Sequence, residues 1–380
     1  MRWEVPVELS SKERQVCGRL QRTGGFYVFL REIRHELFDE EFQAELAQAY
    51  GKARGTEPLQ PAMLAMVTLL QAYGGVSDAD AVVTVEMDKR WQLVLGCLGR
   101  EESLFSQGVL VSFRERMAKH DLDRKLLDRT VELAKRTGKF GWQKVKAALD
   151  SSPLLGAGRV EDTFNLIGRA LSTVVDCAAK ALKVPRAQIL SEAKLMLLGA
   201  SSIKAALDIN WDEPEARTRA LGLLLEEVNA VEKWVAQHVV GEAADFPPLQ
   251  EALKLLRKVL EQDLEPDPSG SGRRIRRGVA RERMPSLGDP EMRHGRKSKS
   301  RLFNGYKRHL MQVQSEIIVG AVVLPANRPE HEALPLLRAD LERHNAVAEL
   351  QMDRGYLSSD EKKVTCPAGS LPKSMLDEVR

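Results

Sequence analysis

Val145-Lys-Ala-Ala-Leu149-Asp150-Ser151-Ser152-Pro153 is the stretch on which the fold turns. Before it, apolar residues recur at helical steps. Here a short apolar run stops at an acid, two serines and a proline, which reads as a buried strand with Asp150 at its end. Further on, apolar stripes at steps of three and four predict a long helical stretch from about 161 to 264. Pro266 to Gly272 has the composition of a linker or loop. Extended strands return around Arg301 to His309 and Ile317 to Leu324. A helix is expected over Pro329 to His344, then a strand over Val347 to Met352 ending at Asp353. Strand, helix, strand implies a parallel pair with a crossover. The second part is therefore α/β, interrupted by a large helical insertion.

Upstream, Pro61 opens a helix where its missing N–H costs nothing. The helix stops at Tyr73-Gly74-Gly75, since glycine takes left-handed helix-end conformations. Ser77 stands at an N-cap position, Ser106 marks another helix start, and Asp121 to Lys135 alternates charge with Leu and Val. Helix, short turn and helix outline a helix-turn-helix, although a plain bundle gives the same pattern. The expected domains are 1–137, mostly helical, and 138–380, with the insertion at about 161–264.

With 380 residues, 43% apolar and 29% charged, the chain can fill more than one core. Cys17, Cys97, Cys177 and Cys366 include no CxxC pair, which argues against a zinc site or disulfide framework. No apolar run approaches the ~18 residues of a membrane span. Met1-Arg-Trp-Glu4 lacks a signal-peptide core, so a cytoplasmic protein with no membrane partner is expected. The net charge of +3 is small, but thirteen Lys and Arg face three acids between Arg273 and His309. Such a run needs a counter-charge or full solvation.

Two acids stand where strands give out, Asp150 and Asp353. In open α/β sheets ligands gather at strand carboxyl ends, so distant acids can converge there. Carboxylates with substrate phosphates are the usual donors to Mg²⁺. A lone Asp at a strand end is also a common turn residue. In the basic segment His294, Arg296, Lys297, Lys299, Lys307 and His309 are candidate phosphate contacts, as Lys and Arg neutralise backbone charge. Composition does not choose among them.

Several ordered blocks carry a family resemblance. They are Asp289-Pro-Glu-Met-Arg-His-Gly-Arg-Lys-Ser298, Phe303-Asn-Gly-Tyr-Lys-Arg-His309, Pro325-Ala-Asn-Arg-Pro-Glu-His-Glu332 and Asp353-Arg-Gly-Tyr356. Together they resemble the catalytic region of prokaryotic insertion-sequence DDE transposases. Leu59-Gln-Pro-Ala-Met-Leu64, the Tyr73-Gly-Gly-Val-Ser77 turn and Phe105-Ser106 leading to Phe113-Arg-Glu-Arg116 are similar to the InsH-type N-terminal domain of one branch. The resemblance spans about residues 30 to 356. It implies an RNase H-like mixed α/β core behind a helical DNA-binding or dimerisation domain. It also implies two Mg²⁺ (or Mn²⁺) ions on an Asp, Asp, Glu triad, and strand cleavage and transfer at terminal inverted repeats by a homodimer on paired ends. The first two acids fall on Asp150 and Asp353.

The third acid is expected as a Glu on a later helix, flanked by Tyr, Arg and Lys at fixed offsets. After Tyr356 no Tyr follows, and Glu361 and Glu378 lack those companions. Val364-Thr-Cys-Pro-Ala-Gly369 resembles a motif that family members carry further downstream. An internally deleted or C-terminally truncated member with an incomplete core is the expectation. Two functions follow: a DNA strand-transfer enzyme, or a non-catalytic DNA-binding remnant or inhibitor of the full-length enzyme.

Overall fold

Each helix of the N-terminal part begins and ends where local chemistry dictates. In a computed structural model of the chain, α1 spans Ser11–Leu20, α2 Gly25–Leu37, α3 Glu40–Gln48 and α4 Pro61–Gly74. They are followed by α5 Asp78–Met87, α6 Lys89–Leu95, α7 Gln107–Lys119 and α8 Leu122–Thr137. The structure describes residues 2–4, 6–51, 58–137, 145–200, 202–270, 272–314, 317–344 and 347–356. Pro61 does open α4, and Gly75 closes it at φ 63°. Ser77 caps α5 in a reciprocal box with Asp80. Ser106 holds the N-cap position of α7 without a side-chain capping bond.

Two compact units divide the chain: Met1–Lys146 with Gln312–Val319 and His344–Ala348, and Ala147–Met311 with Gly320–Arg343 and the chain from Glu349. The first has a core of Leu30, Leu37, Phe38, Leu64, Val67, Leu70, Trp91 and Phe113. Two arginines are buried beside it. Arg31 donates to Glu13 at 2.7 Å and to the carbonyls of Pro6, Val7 and Glu8. Arg34 donates to the carbonyls of Leu93 and Val94 at the end of α6. Every guanidinium so buried must find acceptors, and carbonyls at a helix end, which lack intrahelical N–H donors, supply them.

The second unit holds most of a mixed sheet. Its strands are β1 Val145–Leu155, β4 Arg293–Arg296, β5 Leu302–Val313, β6 Ile318–Pro325 and β7 Val347–Met352, and β2 Leu264–Pro266 with β3 Arg273–Ile275 form a separate hairpin. The order is β4-β5-β1-β7, with β6 also paired to β5. Gln314 N bonds to Lys146 O and Gly156 N to Asn304 O, so β1 and β5 run antiparallel. Val313 N to Ile317 O and Ala326 N to Gly305 O make β5 and β6 antiparallel too. The expected pairing of the strands before and after the crossover helix does not occur. Between β6 and β7 lie β5 and β1, so α14 (Leu334–His344) and the 3₁₀ turn before it carry the chain past two strands. Ala333, Leu337 and Asp340 on this crossover are fully buried, and Asp340 accepts from Ala321 N on β6.

β1 also differs from its expected extent. It continues through Asp150, Ser151, Ser152 and Pro153 to Leu155 and alternates buried and exposed residues up to Ser151. Ladder bonds to β5 fall on even-numbered residues of β1, so the nitrogen of Pro153 faces away from that ladder and proline is tolerated. Asp150 is therefore a mid-strand residue on the exposed side, not a strand end.

The helical stretch comprises α9 Thr163–Leu182, α10 Arg186–Glu192, α11 Ile203–Leu207, α12 Pro214–His238 and α13 Pro247–Asp263. Its own core includes Leu166, Ile167, Leu171, Val174, Leu224, Val228, Leu256 and Val259. The Pro266–Gly272 region is the turn of the β2–β3 hairpin. Among the described residues no helix is long and apolar enough to cross a membrane. The motif sought after Tyr356, with Glu361 and Glu378, lies outside the described residues.

Candidate active site

Strand alternation decides what Asp150 can reach. Asp150 lies exposed on β1, and its neighbour Ser151 is buried on the other face. Ser151 N donates to Asp150 Oδ1 at 2.7 Å, and the Ser151 hydroxyl donates to Glu330 Oε1 at 2.6 Å. Glu330 stands in the 3₁₀ turn Glu330–Ala333 after β6. Its other oxygen lies against the turn that follows Asp353. A Cβ on Gly355 would come within 2.2 Å of Glu330 Oε2, so any larger residue there would make the Glu330 carboxylate move.

Tyr356 ends the same turn, with its N–H on Asp353 O at 3.1 Å. Its ring is fully buried, and its hydroxyl meets Nδ1 of the equally buried His309 on β5 at 2.8 Å. Burial, followed by the charge of Glu330, raises the Tyr356 phenol, and both Asp150 and Asp353 also act on it. Burial lowers His309, which stays neutral near pH 7. His309 Nε2 has no hydrogen-bond partner among the described residues. Asp353 thus heads the turn that Tyr356 ends, and Asp150 stands on β1 with its side chain on the face opposite the buried cluster of Ser151, Glu330, Tyr356 and His309.

The basic candidates separate into different roles. His309 is 0% exposed, so it touches no phosphate in this arrangement. Half-buried His294 uses both ring nitrogens: Nδ1 meets Asn304 Oδ1 at 2.5 Å and Nε2 meets Arg283 Nη1 at 3.2 Å. Arginine only donates, so Nε2 is the acceptor in that contact. Lys307 is half-buried, with Nζ on Arg328 O at 3.0 Å. Arg296 and Lys299 are exposed at the β4–β5 turn. Lys297 reaches back to Ser151 O at 2.9 Å, next to Asp150. Arg308, exposed on β5, donates to Ser152 Oγ at 3.2 Å on the other side of Asp150.

Asp289, first residue of the most basic motif block, has an anchoring place. It accepts from Ala157 N at 3.0 Å and from the Tyr306 hydroxyl. Burial opposes its charge, but these bonds hold its carboxyl below the usual range. Sequence reasoning missed Ser151, Glu330, Tyr356 and Arg308 as parts of this site. Arg308 was findable: alternation along β5 sets it and His309 on opposite faces. The partnership of Glu330 with Ser151 and Gly355 is long-range and leaves no local signal.

For divalent metal, the donor types fit and the number falls short. Asp150 and Asp353 are exposed oxygen donors of the kind Mg²⁺ takes. Among the described residues, however, no group of three or more His, Cys, Asp or Glu is placed to hold an ion.

Comparison with known proteins gives a family match within the N-terminal part. Residues 20–116 match the family described as Transposase domain (DUF772). That match supports an insertion-sequence transposase, and with it a protein of DNA transposition. No curated protein and no solved structure matches the chain.

Proposed function

We propose that this chain acts on the ends of an insertion sequence, with DNA held by an N-terminal domain (1–137) and by an RNase H-like core (138–380). The observation that carries the reading is the transposase-domain match over residues 20–116, in a chain whose Asp150 lies on β1 and whose Asp353 follows the neighbouring strand β7. The antiparallel run β6-β5-β1, with β7 on the far side of β1, supports the RNase H-like assignment. Asp150 and Asp353 would hold Mg²⁺ or Mn²⁺, which when bound supplies charge to a phosphodiester oxygen. Lys297 and Arg308 flank Asp150 and would neutralise the phosphates on either side of it. Arg296 and Lys299 at the β4–β5 turn would extend that contact. A homodimer on paired inverted repeats, working in the cytoplasm, completes the proposal.

A second reading goes with the donor count among the described residues, where no group of three ligands is placed to hold an ion: a DNA-binding member that does little cutting and inhibits an intact enzyme in mixed oligomers. The expected outcome is salt-sensitive binding of terminal-repeat duplex with little nicking in Mg²⁺ or Mn²⁺. Asp150→Ala should leave that binding unchanged. Efficient nicking that Asp150→Ala and Asp353→Ala both abolish would show that strand transfer is intact after all.

A further inference from the structure

The β2–β3 hairpin pairs Leu264 with Ile275, Glu265 with Arg274 and Pro266 with Arg273. All six basic residues from 273 to 283 are arginines. Alternation along the strand sorts those of the hairpin into two sets. Arg274 turns to Glu265, 2.9 Å from Nε to Oε1. Arg276 donates to the carbonyls of Gln262 and Glu261, both at 3.1 Å, in the last turn of α13. These two fasten the hairpin to the helix, where carbonyls lack intrahelical partners.

Arg273 and Arg277 are exposed with Ile275 between them, and Arg281 is exposed further along. None of these three guanidiniums has a hydrogen bond or ion pair among the described residues. Arginine offers forked donors that match phosphate oxygens better than lysine does.

The base of the hairpin is tied to the sheet. Arg283 grips both oxygens of Asp263, the last residue of α13, at 2.8 and 2.9 Å. Arg276 N bonds to Asp263 O at 2.8 Å. From Arg283 the contacts run to His294 and Asn304, and Gly156 N on the chain after β1 bonds to Asn304 O at 3.0 Å. A phosphate held on the hairpin is therefore held at a fixed place relative to the strand that carries Asp150.

We propose that this hairpin is a DNA-backbone grip, with Arg273, Arg277 and Arg281 each taking a phosphate of a duplex; the assignment rests on the transposition reading above. The test is binding of the full chain to duplex DNA of arbitrary sequence across a salt series. Each lost phosphate contact lowers the slope of log affinity against log salt by about 0.9. Arg273→Gln with Arg277→Gln should flatten it by about 1.8, and adding Arg281→Gln by about 2.7. Arg217→Gln with Arg219→Gln, on exposed α12 positions, should leave it unchanged. Unchanged circular dichroism in all variants shows that folding is intact. An unchanged slope in the triple variant, with the wild type still binding, overturns the hairpin assignment alone. A wild type with no salt-dependent binding overturns this assignment and the DNA reading together.

Discussion

Tyr356 touches three parts of the second unit at once: the turn after β7 through its backbone, β5 through His309, and β1 through Ser151, whose hydroxyl lies in hydrogen-bond reach. Removing only its oxygen tests what that junction contributes. Tyr356→Phe leaves His309 Nδ1 buried and unpaired, beside an Nε2 already without a partner among the described residues. The expected loss is about 1–3 kcal/mol in urea unfolding, since a stranded buried polar atom costs more than a bond gains. A variant as stable as the wild type would remove the hub from the account. Asp150 and Asp353 were legible as residues, because Asp after an apolar run is conspicuous. What holds them was not, because Ser151, Glu330 and Gly355 meet only after the chain has folded.

Helix α1 shows how an element can be held largely by polar ties, for none of its residues is fully buried and its Leu20 packs only partly against the core. It depends on Glu13, which closes the capping box with Ser10 and accepts from Arg31 on α2. Burial works against that carboxylate, yet its bonds with Arg31 and Ser10 bring it to about 2 from an ordinary 4.5. A depressed carboxylate contributes stability that is fully present above the unfolded value and lost as pH falls through the folded one. Docking of α1 should weaken between pH 4.5 and about 2, and Glu13→Gln should remove that pH dependence. Hydrogen exchange of α1 amides across this range measures it, and identical profiles for the two proteins would refute the tie. Other elements were readable for local reasons: Pro61 and Gly75 bound α4, and alternation reveals β5. β1 was read too short because Ser151-Ser152-Pro153 favours a turn in isolation, whereas pairing with β5 draws it out into strand.

At the scale of the whole chain, two sets of core residues share no member. Leu64 belongs to one and Leu224 to the other, each almost completely buried. Calorimetry should resolve more than one transition, with Leu64→Ala lowering one and Leu224→Ala another, each by about 2–5 kcal/mol. A single transition moved equally by both substitutions would contradict separate cores. The insertion core was foreseeable from its three-and-four stripes. The sheet order was not, since a strand–helix–strand run does not say how many strands the helix passes.

The two ends of the helical insertion meet. Thr163, first in α9, donates its hydroxyl to Asp263, last in α13, at 2.8 Å, and Arg283 closes over that same carboxylate. A hundred residues therefore leave and return to one doorway, at the base of the β2–β3 hairpin. Such a segment behaves as a cassette: a lineage could gain, lose or exchange it without re-threading a single strand, and a short bridge across the doorway would restore an uninterrupted chain.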